Sequence, residues 1–370
     1  MTTLGKSAAM DAISGKPAAR IPWLLLTWGF DYIWKCAGIP PWQLARGGFN
    51  TWLNAYVAAY ERHKPDIIIC DSFGSGDEDP ILLDETSRSW IIRDCDGEEW
   101  EFIKSSFTLL HRPKPGQTPG PVWRWDSKSD IDSFIGRPGS PPGPLEGLSA
   151  VIRAIGDRAL VLPTCITGYI DACYTLGFDR SMQMMIDHPE LFIYLADRLS
   201  EKDDLRMRRF AEAGAEVVFI ADSWASCDII SPGMFRQFAL PYQRKAVDAA
   251  KNAGLKAILW NLGHIGPILA DEASLNLDAF AFEQPRKGFD ASVADVRDAF
   301  GPSKCILGNL DSEDLLRRND PDEIRAAVQA QILGSGVGAP FILSFGSPIP
   351  SDTPESAVDT VAEAVRGFSW

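Results

Sequence analysis

The chain has 370 residues, of which 45% are hydrophobic and 23% charged, and its 36 basic and 50 acidic side chains give a formal net charge of −14. This composition is typical of a soluble globular protein, and no apolar stretch approaches the ~20 residues that a membrane-spanning helix needs. The acidic excess, with no basic stripe to offset it, repels phosphate backbones. Nucleic acid is therefore excluded as an expected partner.

The first part of the chain, residues 1–20, is small and polar and lacks the apolar segment of a secretory signal. We expect it to form an N-terminal extension, either a loosely held arm or a short helix. The seven cysteines are scattered, odd in number and without a CxxC pair, which is typical of reduced thiols. Together these features predict a cytoplasmic protein.

Eight short apolar runs follow the extension, and each of them stops at a polar residue. Continuous apolar runs of this length are typical of strands buried on both faces of a parallel sheet, and most gaps between them carry helical patterns. The pattern predicts an α/β fold, a (β/α)₈ TIM barrel. Chemistry in such barrels lies at the C-terminal ends of the strands, although a polar residue can also simply end a strand. The terminating residues are Thr27, Asp71, Thr164, Asp222, Asn261, Glu283, Asn309 and Ser344.

The barrel pattern is interrupted after the second predicted strand, over residues 84–147. The segment SWIIRDCDGEEWEF alternates as a β-hairpin does, with Asp96 and Gly97 as the two-residue turn, and Pro- and Gly-rich segments follow it. We interpret the region as an insertion over the barrel mouth that acts as a lid or wall. The alternative is an excursion that forms an oligomer, such as a homodimer.

Twelve tryptophans are present, and several of them lie next to or near polar strand ends. Trp28 follows Thr27, and Trp224 lies two positions after Asp222. Most tryptophans are expected to pack in the core, but large flat side chains at a barrel mouth suit an apolar or aromatic ligand. We therefore expect Trp28 and Trp224 to line a pocket.

Several segments, read in order, resemble the uroporphyrinogen decarboxylase superfamily, which holds that decarboxylase and the cobamide-dependent methyltransferases. The resemblance spans nearly the whole chain outside the insertion and implies a single barrel domain over residues 1–370. The segments are PDIIICDS at 65–72, TGYIDACYTLGF at 167–178, GAEVVFIADSWAS with IISPGMFRQFALPY at 214–242, ILGNLDSEDLL at 306–316 and ILSFGSPIPSDTPESAV at 342–358.

The decarboxylase resemblance is incomplete at the residues that carry its chemistry. An Arg-rich motif is implied just after the first strand, but this chain reads LLLTWGF there, which argues against a tetra-carboxylated tetrapyrrole substrate. A late Gly-His-Gly motif is matched by Gly346-Ser347-Pro348, without the histidine. Residues that do match the implied catalytic set are Asp71, Ser223 and Tyr174.

The zinc methyltransferases of the superfamily imply a His-x-Cys-Gly motif after strand five and a late cysteine. These positions read Trp260, Leu262, Gly263 and Ser347, and none supplies a thiolate or imidazole, so zinc is not expected. His264, with Glu283 and Asp222, could instead build an oxygen-rich metal site. The alternatives for His264 are a hydrogen bond to substrate, for which Ser347 is also a candidate, or satisfaction by neighbouring backbone.

Three carboxyl groups, those of Asp71, Asp222 and Glu283, are expected at one rim of the barrel. Like charges in a partly desolvated pocket raise at least one pKa, which produces a general acid near neutral pH. For Glu283 the alternative is an ion pair with Arg286 or Lys287, and for Asp222 it is a buried acceptor that orients the next loop.

Two asparagines at strand ends, Asn261 and Asn309, suit the fixing of a substrate hydroxyl or carbonyl. Either side chain could instead tie down its own loop, and for Asn309 we favour this second interpretation. Both residues are therefore candidates for substrate binding.

Three functions remain compatible with these residues. The favoured hypothesis is a methyltransferase-like enzyme that demethylates a small methoxylated aromatic molecule. Asp71 or Glu283 would be the acid, Trp28 and Trp224 would sandwich the ring, and the resemblance implies a corrinoid protein as methyl acceptor. The second is a metal-independent decarboxylase or lyase that uses Asp71 as acid, with Tyr174 and Ser223 as substrate contacts. The third is a binding barrel without catalysis.

Overall fold

The computed structural model describes residues 4–71, 76, 78–113, 125–136, 145–286, 288–289 and 291–368. The strands, in chain order, are β1 (Leu24–Leu25), β2 (Ile67–Cys70), β3 (Ile81–Glu85), β4 (Ser89–Arg93), β5 (Glu99–Ile103), β6 (Thr108–Arg112), β7 (Leu160–Ile166), β8 (Val217–Ala221), β9 (Lys256–Asn261), β10 (Ala279–Phe282), β11 (Cys305–Leu307) and β12 (Phe341–Ile342).

Helices surround the strands. They are α1 (Leu4–Ile13), α2 (Ile33–Ala37), α3 (Pro41–Ala45), α4 (Phe49–His63), α5 (Lys128–Ile135), α6 (Leu145–Ile155), α7 (Gly168–Leu176), α8 (Phe178–Asp187), α9 (Pro189–Ser200), α10 (Asp203–Glu212), α11 (Pro232–Met234), α12 (Leu240–Asn252), α13 (Leu269–Ala273), α14 (Val293–Phe300), α15 (Asp314–Arg318), α16 (Pro321–Gly334) and α17 (Glu355–Gly367). A π-helical turn, Phe235–Ala239, precedes α12, and a 3₁₀ turn, Gly266–Ile268, precedes α13. In the part of the chain that the structure describes, no helix has the length and hydropathy required to span a bilayer.

Eight of the strands form a parallel barrel in the order β1-β2-β7-β8-β9-β10-β11-β12. The ring closes where Trp23 pairs with Leu343, because Leu24 N–H donates to Leu343 O and Leu343 N–H donates to Pro22 O, both at 2.9 Å. The strands are buried over most of their length, as their continuous apolar composition requires. The predicted (β/α)₈ TIM barrel is confirmed.

The N-terminal extension is a packed helix and not a loose arm. Ala8, Ala9, Ala12 and Ile13 of α1 are almost fully buried, and Lys6 Nζ donates to Gly156 O, before β7, at 2.7 Å. The short-helix alternative holds, whereas a loosely held arm is wrong. The small alanine side chains let the helix approach the barrel closely. The small and polar composition of the segment did not by itself predict this packing.

The insertion contains a four-stranded antiparallel sheet, β3-β4-β5-β6, which begins at Ile81 and so precedes the predicted boundary at residue 84. The expected hairpin β4–β5 exists, but its turn is longer than two residues. Asp94 Oδ1 accepts from the backbone N–H groups of Asp96 and Glu98, at 3.1 and 2.9 Å, and this side-chain cap widens the loop.

The inner face of this sheet packs against the loop that follows β1. Phe102 is fully buried with its ring centroid 5.6 Å from that of Phe30, and Phe107 lies 6.3 Å from Trp34. The sheet is therefore on the side of the barrel where the strands end. Its role as a lid or wall stays a prediction, and the Pro- and Gly-rich segments 114–124 and 137–144 lie outside the described residues.

Candidate active site

Asp71 directly follows β2 and is held from two sides. Gly29 N–H, in the loop after β1, donates to Asp71 Oδ2 at 2.6 Å, and Tyr56 Oη of α4 donates to Oδ1 at 3.3 Å. Burial raises the pKa of Asp71 to about 6, and the nearby Asp31 carboxyl adds to the rise. Since the residue itself is half-buried, its carboxyl can be protonated near neutral pH and still lie next to a bound molecule.

Trp28 and Trp260 form an aromatic floor at the mouth of the barrel. Trp28 follows β1 and Trp260 lies on β9, four strands away around the ring, yet their ring centroids are 5.9 Å apart. The Trp260 indole also contacts Phe219, at 5.8 Å, and donates from Nε1 to Gly346 O at 3.2 Å. A buried indole thus occupies the position where the methyltransferase resemblance implies a zinc-binding histidine.

A second aromatic group, which we call the rim group, consists of Tyr174, Phe178 and Trp224. Tyr174 and Phe178 meet the Trp224 ring edge-on, at centroid distances of 5.0 and 5.4 Å. Tyr174 is 51% exposed, and its hydroxyl hydrogen-bonds to Ser223 Oγ at 3.1 Å. The structure therefore brings three of the predicted site residues, Tyr174, Ser223 and Trp224, into one contact group, and their roles stay predictions.

Glu283 follows β10 and lies among partners that suit a charged carboxylate. Gly263 N–H donates to Glu283 Oε2 at 2.7 Å, and Arg286 forms an ion pair with the same side chain while bonding Glu313 at 2.8 Å. The alternative of an ion pair with Arg286 is what the structure contains, and Lys287 lies outside the described residues. These contacts identify Glu283 as a carboxylate that joins two loops.

Asn309 and Asn261 point to protein partners. Asn309 Nδ2 donates to the backbone oxygens of Glu283, at 3.0 Å, and Ala291, at 3.3 Å, so its contacts tie neighbouring loops together. Asn261 is fully buried, and its Nδ2 donates at 2.7 Å to Glu272. Both side chains therefore use their amide donors within the protein.

His264 and Ser347 flank the same end of the barrel. The His264 ring is half-buried and stacks on Phe289 with centroids 4.6 Å apart. Ser347, after β12, is only 7% exposed. Among the described residues no group of three His, Cys, Asp or Glu side chains is arranged to hold a metal ion, so His264, Glu283 and Asp222 do not form the oxygen-rich site considered from the sequence.

Asp222 is sealed below the rim, with no exposed surface. Thr167 Oγ1 donates to its Oδ1 at 2.9 Å, and burial raises its pKa to about 7. For Asp71 burial is likewise the largest cause of the raised pKa, with a smaller contribution from the Asp31 carboxyl. Desolvation, rather than a shared rim of three carboxylates, is therefore the main cause of the shifts.

Sequence reasoning missed Glu272 and Gln243, two fully buried polar residues on α13 and α12. Burial raises the pKa of Glu272 to about 8. The signal was present for Glu272, because it lies three or four positions after the buried Ile268 and Leu269 and three before Leu275, on the apolar face of its helix. Gln243 carries a similar signal, because the buried Ala239 lies four positions before it and the buried Ala246 and Val247 lie three and four positions after it.

Comparison with known proteins gives a consistent result. A family description, uroporphyrinogen decarboxylase (URO-D), matches residues 141–368. The chain is 29% identical over 163 residues to a methylcobamide:CoM methyltransferase, MtbA, of Methanosarcina mazei, covering 44% of this chain and 45% of the relative. It is 25% identical over 237 residues to a uroporphyrinogen decarboxylase of Anaeromyxobacter sp., covering 62% of this chain and 64% of the relative.

A solved structure of a methyltransferase from Methanosarcina mazei superposes with a TM-score of 0.70 at 20% identity and covers 99% of both chains. At that identity the likeness concerns the fold. The aligned part of this chain spans less than two thirds of the length of the two curated relatives.

Proposed function

Because the chain belongs to the uroporphyrinogen decarboxylase (URO-D) family, we propose that it is an enzyme that removes the methyl group from a small methoxylated aromatic substrate. The observation that carries the proposal is the aromatic floor with a titratable carboxyl at its edge. Gly29, which directly follows Trp28, is the residue whose N–H binds Asp71. A ring stacked on Trp28 would therefore lie beside the Asp71 carboxyl.

Binding would rest on aromatic surface and not on charge. Trp28 is half-buried and leaves part of its indole available, while the covered Trp260 supports it from the opposite strand. Offset or edge-to-face aromatic contacts contribute about 0.5–1.5 kcal/mol each beyond the burial of area. The half-exposed rim group offers a second aromatic surface, which supports a planar ligand over a flexible aliphatic one.

Asp71 would act as the general acid. Demethylation breaks the bond between the methyl carbon and the aryl oxygen, the methyl group passes to an acceptor nucleophile, and the departing oxygen takes the Asp71 proton. A carboxyl with a pKa of about 6 donates more readily near neutral pH than an unperturbed aspartic acid, which is almost fully ionised there. Gly29 N–H and Tyr56 would then hold the resulting carboxylate.

The acceptor we propose is a corrinoid carried by a partner protein, which would supply a nucleophilic cobalt. The name of one relative, a methylcobamide:CoM methyltransferase, places a corrinoid in that enzyme's reaction as the methyl donor, which supports a corrinoid as the exchange partner here, used in the opposite direction. Zinc has no place in the scheme, because Trp260, Leu262 and Ser347 stand at the implied ligand positions and the Trp260 indole is packed and hydrogen-bonded there.

A second candidate is a decarboxylase acting on a small carboxylated substrate. It is favoured by the hydrogen bond between Tyr174 and Ser223 at the rim, since both hydroxyls could turn toward a substrate carboxylate, and by decarboxylases among the relatives. In this scheme Asp71 protonates the carbon from which carbon dioxide departs.

The experiment incubates the purified protein with 2-methoxyphenol and with methoxybenzoates, using free cob(I)alamin as methyl acceptor. Methylcobalamin is followed by its absorbance, and the phenol product and carbon dioxide by chromatography and gas analysis. We expect methylcobalamin and the demethylated product, which is catechol from 2-methoxyphenol and hydroxybenzoate from a methoxybenzoate, in equal amounts. Carbon dioxide without methyl transfer would favour the decarboxylase, and saturable quenching of tryptophan fluorescence without any product would favour a binding barrel.

The matched variant is Asp71→Asn, which keeps the shape of the side chain and removes its proton. Turnover should fall by about 100-fold or more, the usual contribution of a general acid. In the unchanged enzyme, kcat/KM should decline as pH rises above about 6, because the acid form of Asp71 is then lost. Asp84→Asn on the exposed strand β3 is the control. Full turnover by Asp71→Asn would refute both enzymatic schemes.

A further inference from the structure

Five polar side chains form a sealed cluster below the rim of the barrel: Thr167, Asp222, Gln243, Asn261 and Glu272. None has more than a trace of exposed surface. Asn261 Nδ2 and Gln243 Nε2 donate to Glu272 Oε1 at 2.7 and 3.4 Å, and Thr167 Oγ1 donates to Asp222 Oδ1 at 2.9 Å. The Gln243 side chain also bonds with the Asp222 carboxyl, so it links the two acids.

The cluster has more acceptors than donors. Asp222 Oδ2, Gln243 Oε1 and Glu272 Oε2 are buried and have no hydrogen-bond partner. Ionised carboxylates only accept hydrogen bonds, so two of them here would leave these oxygens unsatisfied. Within the described chain, neither acid has a lysine, arginine or histidine among its hydrogen-bond or ion-pair partners. Two uncompensated buried charges side by side are strongly unfavourable.

We propose that Glu272 is protonated at neutral pH and that its O–H donates a hydrogen bond within the sealed cluster. The protonated cluster then holds the Asn261 side chain in place, and we call this arrangement the clamp. A single proton on Glu272 removes one buried charge and supplies a donor to a cluster that lacks one. The direction of the pKa shifts agrees, since burial raises the pKa of Glu272 to about 8 and that of Asp222 to about 7.

The clamp acts on the loop that follows β9. Glu272 fixes the Asn261 amide, and Asn261 Oδ1 in turn accepts from Leu262 N–H at 2.9 Å. The next N–H, that of Gly263, donates to Glu283 Oε2. Glu272 is therefore a positioning residue, because it reaches the mouth only through Asn261 and the backbone. The inference goes beyond the proposed reaction and does not depend on it.

The titratable groups around Glu272 come from three elements. Asp222 lies at the end of β8 and Cys227 in the loop after it, and Asp271 neighbours Glu272 on α13. Asp271 is paired with Arg236, at 2.9 Å, whereas the Asp222 carboxyl has no cationic partner in the described chain. Loss of the Glu272 proton therefore places a new negative charge next to Asp222, and the clamp should loosen at alkaline pH.

The test compares Glu272→Gln with Glu272→Leu in the full-length protein, without any substrate. Glutamine is a neutral mimic of the protonated acid and can donate, whereas leucine has a similar size and cannot bond Asn261. We expect the Tm of Glu272→Gln at pH 7 to equal or exceed that of the unchanged protein, whose unfolded chain is stabilised by ionisation of Glu272, and we expect Glu272→Leu to lower the Tm.

The pH dependence gives the second readout. A raised pKa in the folded state means that stability is lost as pH rises toward that pKa, so the Tm of the unchanged protein should fall by about 3 °C between pH 6 and pH 9. In Glu272→Gln this fall should shrink. A fall of the same size in both proteins would overturn the proposal.

Infrared spectroscopy supplies a direct measurement, which remains decisive if Glu272→Leu fails to fold. At pH 7 the unchanged protein should show the carbonyl band of a buried protonated carboxyl, sensitive to deuterium exchange. Glu272→Gln should lose this band, and Asp222→Asn should keep it. Absence of the band from the unchanged protein, or a Glu272→Gln protein as unstable at pH 7 as Glu272→Leu, shows that Glu272 is ionised and that the inference is wrong.

Discussion

Asp71 at the mouth and Glu272 in the sealed cluster are two carboxyl groups whose pKa values burial raises, to about 6 and about 8. They differ in access. Asp71 is half-buried beside Trp28, whereas Glu272 has no exposed surface and meets only protein atoms. The same physical cause therefore acts on one acidic residue that has exposed surface and on one that has none. A shifted pKa locates a desolvated group, and access decides whether that group can take part in chemistry.

The same contrast between a buried and a partly exposed position can be tested on two tryptophans, and the largest effect is expected at the floor of the mouth. Trp260→Ala removes a buried indole that packs on Trp28 and Phe219, and it should lower the free energy of unfolding by about 3–5 kcal/mol. Trp224→Ala, in the half-exposed rim group, should lower it by less. Denaturant titration of both variants measures the difference. Equal losses would mean that the floor is no better packed than the rim.

A third buried group should titrate with the opposite sign to Glu272. His63 has no exposed surface, with its Nε2 3.0 Å from Tyr32 Oη and its Nδ1 2.8 Å from Asp359 Oδ1. Burial lowers its pKa to about 4, against the favourable charge of Asp359. Because the unfolded chain binds a proton near pH 6.5 and the folded chain does not, stability should fall as pH drops from about 6.5 to 4, by about 3 kcal/mol.

The matched pair for this measurement is His63→Gln and His188→Gln, since His188 is exposed. Urea unfolding at pH 4.5 and pH 7 should show a smaller acid loss for His63→Gln than for the unchanged protein. His188→Gln should keep the full loss. If the two variants lose equal stability on acidification, His63 is already charged in the folded protein.

The smallest effect concerns the loop between the sealed cluster and Glu283. Gly263 has φ +78°, and a Cβ there would lie 2.2 Å from Asp228 Oδ1, so Gly263→Ala should destabilise the protein by about 1–3 kcal/mol. Gly254 has nearly the same backbone conformation, φ +79°, with open space around it, and is the control. Its alanine variant should lose only the part due to backbone strain. Thermal unfolding of both variants separates the clash from the strain.

The barrel could be predicted from the sequence because each strand is a continuous apolar run with a polar stop. The same rule placed Asp71 directly after β2 and Trp224 shortly after β8. These two residues were accessible to prediction because a parallel strand fixes where its last side chains emerge, whereas Ser223 and Tyr174, the latter on α7, were found through the family resemblance. A resemblance over several segments then identified the family.

The residues that were missed lie on helices and approach the site from outside the ring. Tyr56 of α4 reaches Asp71 from a helix, where position along the chain does not specify distance to a strand end. Glu272 and Gln243 lie on different helices, α13 and α12, and only the folded chain brings their side chains to 3.4 Å. The pKa of Asp71 and that of Asp222 are each raised chiefly by burial of the carboxyl, and the expected sharing of one rim by three carboxylates stays a prediction.

The closure of the barrel has a consequence for how the protein is made. The two strands that meet at the seam, β1 and β12, are two residues long each, and the backbone bonds between Pro22, Leu24 and Leu343 join positions more than three hundred residues apart. Contacts of such long range form slowly, because the intervening chain must first be ordered. During synthesis the cylinder stays open until its last strand leaves the ribosome, and until then the apolar edge of β1 is available to chaperones or to wrong partners.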